Sequence, residues 1–481
     1  MTVRTYRPAI QVALLRNIVR TDGVSKRYRG GRTTVDLTPF LGEQGGVVVR
    51  KSLYSPLGTW EVTLADQRDG QTQDTLYAMV EPMDGIEIRM ARSPEAYPGG
   101  PPVMMRGFVT GVRRSESVSE GGRPLRRVVI EGADYGLPFA RCRLSWMQET
   151  GLALLGNLGG IQAVGLKFQA WPAGKFVEDV TSLVINKWLD QFYALSVGRA
   201  DGQSYAPVSR SIKTDITVAE GTVNPYGVSP FDRPAWEWMV EHADLTWNEL
   251  FVEDRDDAPT LVYRPVPFKD INGDWIPQGA SKVGADTINV DADAIMSMDA
   301  RRSDANVANA FWVYPTATAL IPQAAMRSAA IANDLVVVNP PNARVELYGL
   351  RLMNPPLAQG ATGMGRIDGL PAAEQEQASA DFAGWAATRQ AHLVALNKDN
   401  VVFEDVSLAL RGSEQVRPGR YLRLRRGSFE SECYVHAVTH EFQPFNGYFT
   451  RVQAIRGTGL LARSKMQASP YSAEGRRGAY G

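Results

Sequence analysis

"YVHAVTHEFQPFNGYFTRVQAIRG", residues 434–457, can be read at two periods, and the choice decides what kind of protein this is. At helical spacing His436 and His440 stand one turn apart with Glu441 beside the second, which suggests a zinc peptidase. That chemistry needs two histidines on one helical face with the glutamate between them. Started at His440–Glu441, the motif would need a histidine at 444, which is Pro444. At period two, Tyr434, Val435, Val438, Phe442, Tyr448, Phe449, Val452 and Ile455 are strand formers, and Asn446-Gly447 marks a type I′ turn. In a strand the two histidines stand roughly 13 Å apart on one face, too far to share an ion. The stretch is therefore expected to be a β-hairpin with both histidines on its exposed face and no metal.

Composition narrows the function classes. A chain of 481 residues is long for one hydrophobic core, so several are expected. Lysine plus arginine (52) equals aspartate plus glutamate (52), so no net charge draws the molecule to nucleic acid or an anionic membrane. Cys142 and Cys433, the two cysteines, cannot make a disulfide scaffold or a four-thiolate metal site, which suits a reducing compartment. The opening "MTVRTYRPAIQVALLRNIVR" has early positive charge, but Gln11 and Arg16 break its apolar run and no small-residue cleavage site follows. No later run of about 18 apolar residues suggests a membrane span. A soluble protein made in the cytoplasm is expected.

Periodicity gives the order of elements. Through the first 140 residues apolar side chains alternate: Trp60, Val62 and Leu64 share one side, as do Ile86, Ile88 and Met90 with Glu87 and Arg89 opposite. This is antiparallel sheet with one wet face, punctuated by turns at 83–85 and 119–124. From 176 the period changes, and Phe176, Val180, Leu183, Val184, Lys187 and Trp188 make an amphipathic helix. A second helix follows "FDRP", with Asp232 as its cap, Pro234 in its first turn and Trp236, Met239 and Val240 as its buried stripe. Two strand-like runs joined by the acidic turn "EDRDD" (253–257) come next. After 290 "AIMSMDARRSDANVANAFWVYP" (294–315) and "RVELYGLRLM" (344–353) both read as strands, followed by a Gly/Pro-rich loop at 354–371 and a third helix carrying Phe382, Trp385, Ala386, Arg389, Leu393 and Leu396. From about 400 the pattern is β again until Gly457, and the small polar tail is expected to be disordered.

The two β regions echo one another. "GIEIRMAR" (85–92), "GFVTGVRR" (107–114) and "VVIEG" (128–132) match "GRYLRLRR" (419–426), "YVHAVTH" (434–440) and "QAIRG" (453–457) in the same order. Two related β domains, one near each end, are expected.

No constellation of catalytic residues rises above this background. In "WPAGKFVED" the glycine spacing before Gly174-Lys175 is wrong for a phosphate loop. "GMGRIDG" (363–369) displaces the third glycine of a dinucleotide fingerprint and follows no strand. "EDRDD" and Asp291/Asp293 could mimic a glycosidase pair but fit turns and strand ends, and "EDRDD" lacks the glycine and final glutamate of a calcium loop. Arginines at 113–114, 123–127 and 420–426 alternate with strand residues, as solvated faces or subunit contacts do. Catalytic residues, cofactor and metal are all expected to be none. Ten tryptophans and many arginines instead suit the building of interfaces.

"PMDGIEIRMAR…PPVMMRGFVTGVRRS" with its return "RRVVIEGADYG", then "RPAWEWMVEHADLTWNELFVEDRDDAPTLVYRPVPF", then "QVRPGRYLRLRRGSFESECYVHAVTHEFQPFNGYFTRVQAIRGTG" carry a resemblance in their order along most of the chain. In these segments the chain resembles the baseplate hub proteins of contractile phage tails, the late control protein D group, and more distantly the amino-terminal part of type VI secretion spikes. The resemblance implies a β-rich α+β chain with two tail-tube-like antiparallel β-barrel domains and helical and mixed insertions. The division expected is a first barrel at 1–140, a mixed insertion at 141–285, strands of the second barrel with a loop and helix at 286–400, the second barrel proper at 401–460, and a flexible tail at 461–481.

It further implies a homotrimer in the virion tail baseplate, assembled in the host cytoplasm, that joins the sixfold tail tube to the threefold central spike beside other baseplate subunits. Specific nucleic-acid binding and stable membrane insertion are not expected. Contacts are expected at the hairpin tips, at Gly121, Gly122 and Arg123 and at Phe445, Asn446 and Gly447. Alanine at both His436 and His440 is expected to leave assembly largely intact and to abolish no metal-dependent activity. Two rivals remain: a tail-associated cell-wall hydrolase, though no lysozyme-like module is visible, and a type VI secretion-like spike component, though no long β-helix follows the second β region.

Overall fold

Alternating burial along the strands becomes edge-to-edge pairing in the computed structural model, which describes residues 7–16, 34–43, 45–68, 75–118, 122, 124–144, 171–197, 211–223, 233–277, 284–315, 336–337, 340–362, 371–426 and 429–458. The first β region contains β1 (Ala9–Leu15), β2 (Thr34–Asp36), β3 (Gly46–Ser52), β4 (Thr59–Ala65), β5 (Gly85–Ala91), β6 (Val103–Val118) and β7 (Pro124–Asp134). Trp60, Val62 and Leu64 on β4 and Ile86, Ile88 and Met90 on β5 are all buried, as their spacing predicts.

Next, α1 (Ala173–Asp179) runs through a π-helical stretch, Val180–Ile185, into α2 (Asn186–Val197). After β8 (Lys213–Ile216) comes α3 (Ala235–His242) and the hairpin of β9 (Asn248–Asp254) and β10 (Pro259–Pro265). Pro234 occupies the N-cap of α3 in an extended conformation and no side chain caps the helix. It therefore precedes the first turn instead of lying in it, while Asp232 lies outside the described residues.

The last region holds β11 (Thr287–Val290), β12 (Ile295–Arg301), α4 (Ala372–Asn397), β13 (Glu404–Arg411), β14 (Tyr421–Arg426), β15 (Phe429–Gln443) and β16 (Gly447–Thr458). "GMGRIDG" and the polar tail lie outside the described residues.

Thirteen strands join one sheet in the order β12-β13-β16-β15-β3-β4-β7-β6-β5-β1-β2, with β14 pairing β15 and β11 pairing β14. Two six-stranded units follow the same plan within it. Order β3-β4-β7-β6-β5-β1 in the first becomes β12-β13-β16-β15-β14-β11 in the second, and equivalent strands come in the same chain order. The echoing segments lie in the triplets β5-β6-β7 and β14-β15-β16, though the ladder's own register sets Gly85 against Tyr421, Phe108 against Tyr434 and Gly132 against Ala454, which is two, one and three residues away from the match by letters. One connection differs: β1 runs antiparallel to β5, whereas β11 runs parallel to β14. The chain is thus β-rich α+β. Among the described residues its ladder is open, ending at β2 and β12, and the pairings draw no closed barrel.

Each unit packs its own core. Val12, Val62, Ile88 and Ile130 belong to that of the first, and Leu408, Leu422, Val435 and Val452 to that of the second. A third core seats Phe176 and Trp238 against Phe108 and Tyr135, and a fourth packs Phe382, Trp385 and Leu393 of α4 around Trp247 and Phe311. The amphipathic stripes of the helices thus cover sheet that would otherwise be wet.

Gly132 shows how tightly the first unit closes. A Cβ there would lie 2.2 Å from both the Phe108 carbonyl oxygen and the Trp60 ring. Gly132→Ala is expected to cost about 1–3 kcal/mol, since neither neighbour can retreat without disturbing the β4-β7-β6 ladder. Urea unfolding measures it; an unchanged midpoint would mean that the sheet yields there.

Candidate assembly surfaces

β15, the strand that opened the sequence analysis, is the joint of the molecule. One edge follows β16 along its length. Its other edge pairs with β14 over residues 429–434, then with β3 over residues 437–442. The change of neighbour falls at a bulge between Val435 and Ala437. A bulge adds a residue, bends the strand and strengthens its twist, so one edge can leave a neighbour and accept another. Through this pairing the two six-stranded units share one sheet.

The histidines sit at this joint, and their surroundings correct the expectation of an exposed face. His436, in the bulge, is half-buried with its ring 5.3 Å from that of Tyr54. His440 is 5% exposed. Its Nε2 donates to the Val416 carbonyl at 3.2 Å and its Nδ1 accepts from the Tyr448 hydroxyl at 2.9 Å, with Thr450 Oγ1 at 3.2 Å. These partners fix the neutral tautomer. Burial, aided by the nearby Arg417 cation, pushes its pKa down to about 3. Alanine at 436 can be absorbed, but at 440 it would strip the Tyr448 and Val416 groups of their partner. Among the described residues no three His, Cys, Asp or Glu side chains gather closely enough to hold a metal ion, and no helix is long and apolar enough to cross a membrane.

The acidic turn between β9 and β10 proves to be a clasp on both units. Arg106 of β6 donates to the carbonyls of Arg255 at 2.6 Å and Asp256 at 2.7 Å while pairing with Glu87 at 2.8 Å. From the other unit Arg417 reaches the carbonyls of Asp254 and, at 2.7 Å, of Val103. Arg264 of β10 returns the contact, donating to the Gly419 carbonyl at 2.7 Å and to Tyr434 Oη at 3.1 Å, with Glu249 at 3.0 Å. The planar, always charged guanidinium can serve several acceptors at once, which suits it to such seams.

Lys51, on the joint strand β3, completes the clasp. Its ammonium lies 2.8 Å from Asp134 and 2.5 Å from Asp254, and the two carboxylate side chains are 1% and 0% exposed. Burial works to lower the lysine's pKa, but the paired carboxylates outweigh it and hold it above the ordinary lysine value. This charge triangle ties β3, β7 and β9 together. Sequence reading placed "EDRDD" at a turn but missed Lys51, Arg106 and Arg417, whose partners are distant in the chain.

No protein-family model matches the chain, and no curated protein does. Solved structures similar to it include the tail protein from Neisseria meningitidis MC58 (10% identity, TM-score 0.44, covering 94% of this chain and 97% of that one). Another is the 43 kDa tail protein of prophage MuSo2 from Shewanella oneidensis (9% identity, TM-score 0.45, covering 94% and 98%). A third is the E. coli c3393 protein, a component of the type VI secretion system with structural similarity to the T4 tail proteins gp27 and gp5 (8% identity, TM-score 0.36, covering 87% and 76%). The chain is similar to phage tail proteins.

The two hairpin tips named from the sequence terminate equivalent strand pairs, β6–β7 and β15–β16. Gly122 is exposed at φ +71° with open space around its Cα, whereas Gly121 and Arg123 lie outside the described residues. At the second tip the turn is displaced from the expected Asn446-Gly447 centre. Asn446 N donates to the Gln443 carbonyl at 3.2 Å, which puts Pro444 and Phe445 at the central positions. Phe445 adopts φ 64° and Gly447 φ 116°. Proline pre-sets the first corner and so moves the left-handed residue onto Phe445. Phe445 is also 92% exposed. A large aromatic residue held in a costly conformation and offered to solvent contributes little to the fold, and fits a contact point.

Proposed function

We propose that this protein is a structural baseplate hub of a contractile phage tail, a homotrimer that joins the sixfold tail tube to the threefold central spike. One observation carries this: the same six-strand order occurs twice in one chain. Three copies then present six like modules on one side while keeping threefold symmetry on the other, which is what an adaptor between such symmetries needs. The tail-like resemblance of the sequence points the same way. Each six-stranded unit is one tube-like module, the first within 1–140 and the second built from strands in 286–400 and 401–460. The helices and the β9–β10 clasp of 141–285 fix the modules to each other. The hairpin tips at Gly122 and Phe445 face neighbouring tail proteins, and the role is mechanical, with no catalytic residue, cofactor or nucleic-acid site. The trimer is assembled in the host cytoplasm and resides in the virion tail baseplate.

Light scattering on the purified protein is expected to give three times the 52.8 kDa chain mass, or to reach it on mixing with the tail's spike protein. A monomer indifferent to both tube and spike proteins would overturn the hub.

A further inference from the structure

β3 and β12 hold the same place in their units, and so do β6 and β15, yet only one of the two possible cross-unit pairings occurs within a chain. The equivalence holds residue by residue. Val109 N donates to the Asp84 carbonyl and Met83 N to the Val109 carbonyl, both at 2.8 Å; Val435 and the residues Arg420 and Gly419 repeat both bonds at 2.9 Å. Directly afterwards each strand is bulged, between Val109 and Gly111 and between Val435 and Ala437. Past its bulge β15 uses the vacated edge to pair with β3. Past its own, β6 has no strand on that edge among the described residues, and its residues 113–118 are exposed. β12 pairs only with β13, leaves its outer edge without a strand among the described residues, and is exposed along most of its length.

We infer that β12 of one copy adds antiparallel to the distal half of β6 of the next, reproducing between chains the β3–β15 joint seen within one. This rests on the hub proposed above and supplies its missing contact, the surface by which one copy recognises another. The pairing is head-to-tail, and such contacts repeat until the rotation closes into a ring. Backbone bonds of an added strand bring affinity while the side chains set register. An unprotected edge of this kind invites uncontrolled pairing unless a specific neighbour covers it.

The internal joint also fixes the register. Val49 and Ala300 are equivalent because they face Trp60 and Val406, which face Gly132 and Ala454. Arg114 and His440 are equivalent because they face Val128 and Thr450. Since His440 pairs with Val49, Arg114 meets Ala300 of the next copy, and Ser115 meets Asp299. Arg113 then stands opposite Arg301, a like-charge pair. Asp299 lies on the diagonal to receive Arg113, and Asp405 is already 3.9 Å from Arg301, so both charges have counterparts.

Cysteines at Ser115→Cys and Asp299→Cys in one chain would face each other across the seam at a separation a disulfide can span. Cys142 and Cys433 are buried and compete little. Mild oxidation is expected to convert the protein to a reducible covalent trimer, with about tenfold more product than from Ser117→Cys with Asp299→Cys, displaced by two residues. A protein that is trimeric by light scattering but forms no more cross-link than this control would overturn the edge pairing and leave the hub standing. An open-ended series of covalent oligomers would overturn closure at three copies. A monomer that neither cross-links nor associates with tube or spike protein would overturn the hub and the pairing together.

Discussion

Lys51→Met is expected to lower the unfolding free energy by roughly 3–5 kcal/mol at neutral pH, the loss typical when one partner of a buried ion cluster is removed. The substitution keeps an unbranched side chain, one atom shorter, and deletes its charge. Asp134 and Asp254, the two buried carboxylates whose shared cation Lys51 is, would then face one another with no counter-ion. Neutralising them as well, with Asp134→Asn and Asp254→Asn, is expected to restore most of the loss, because the penalty comes from uncompensated charge and not from lost volume. Urea unfolding of the single and triple variants tests this. A loss below about 1 kcal/mol for the single variant would show the triangle to be screened like a surface pair. Since the triangle ties β3 and β7 to the clasp, the single variant should also loosen the seam between the units.

Acid should destabilise the protein through His440. Its folded-state pKa is depressed to about 3 by burial and by Arg417, whereas the unfolded side chain titrates near 6.5. Between these values the unfolded chain takes up a proton that the folded chain refuses, so stability is lost as pH falls from about 6.5 towards about 3. The loss from this one group is roughly 3 kcal/mol by about pH 4. Asp244 works in the opposite direction, because burial pushes its carboxyl up to about 6. The measurement is therefore the difference in slope between the parent protein and His440→Gln, whose amide can still donate to Val416 and accept from Tyr448. Parallel slopes would show that water or movement relieves the buried imidazole.

Much of the β architecture was legible because it is local. Alternation at Trp60–Leu64 and Ile86–Met90 records which face of a strand is buried, and the helix around Phe176–Trp188 follows from its three-and-four spacing. The echo of three segments pointed to the right strands but at the wrong register, because alternation and closing turns repeat in equivalent strands while individual residues do not. The turn at 443–447 was misplaced because Asn-Gly is a strong signal only when no neighbouring proline fixes another corner. His440 was misjudged because strand periodicity says which residues share a face, but not whether another layer covers that face.

By itself the sequence determined most of the strands, the helices between the two β regions and the absence of a metalloprotease motif from the opening stretch, but it read 344–353 as a strand where Val345–Tyr348 is a short helix and only Leu352–Met353 is extended. Only the tertiary structure decided that the repeat extends to six strands, that β15 changes partner at a bulge to join the units, and that "EDRDD" is held by Arg106 and Arg417. The physical reason is range. Side-chain alternation and turn chemistry act over a few residues, whereas the joint and the clasp are bonds between groups hundreds of positions apart, such as Val103 and Arg417, which the chain can specify only once it has folded.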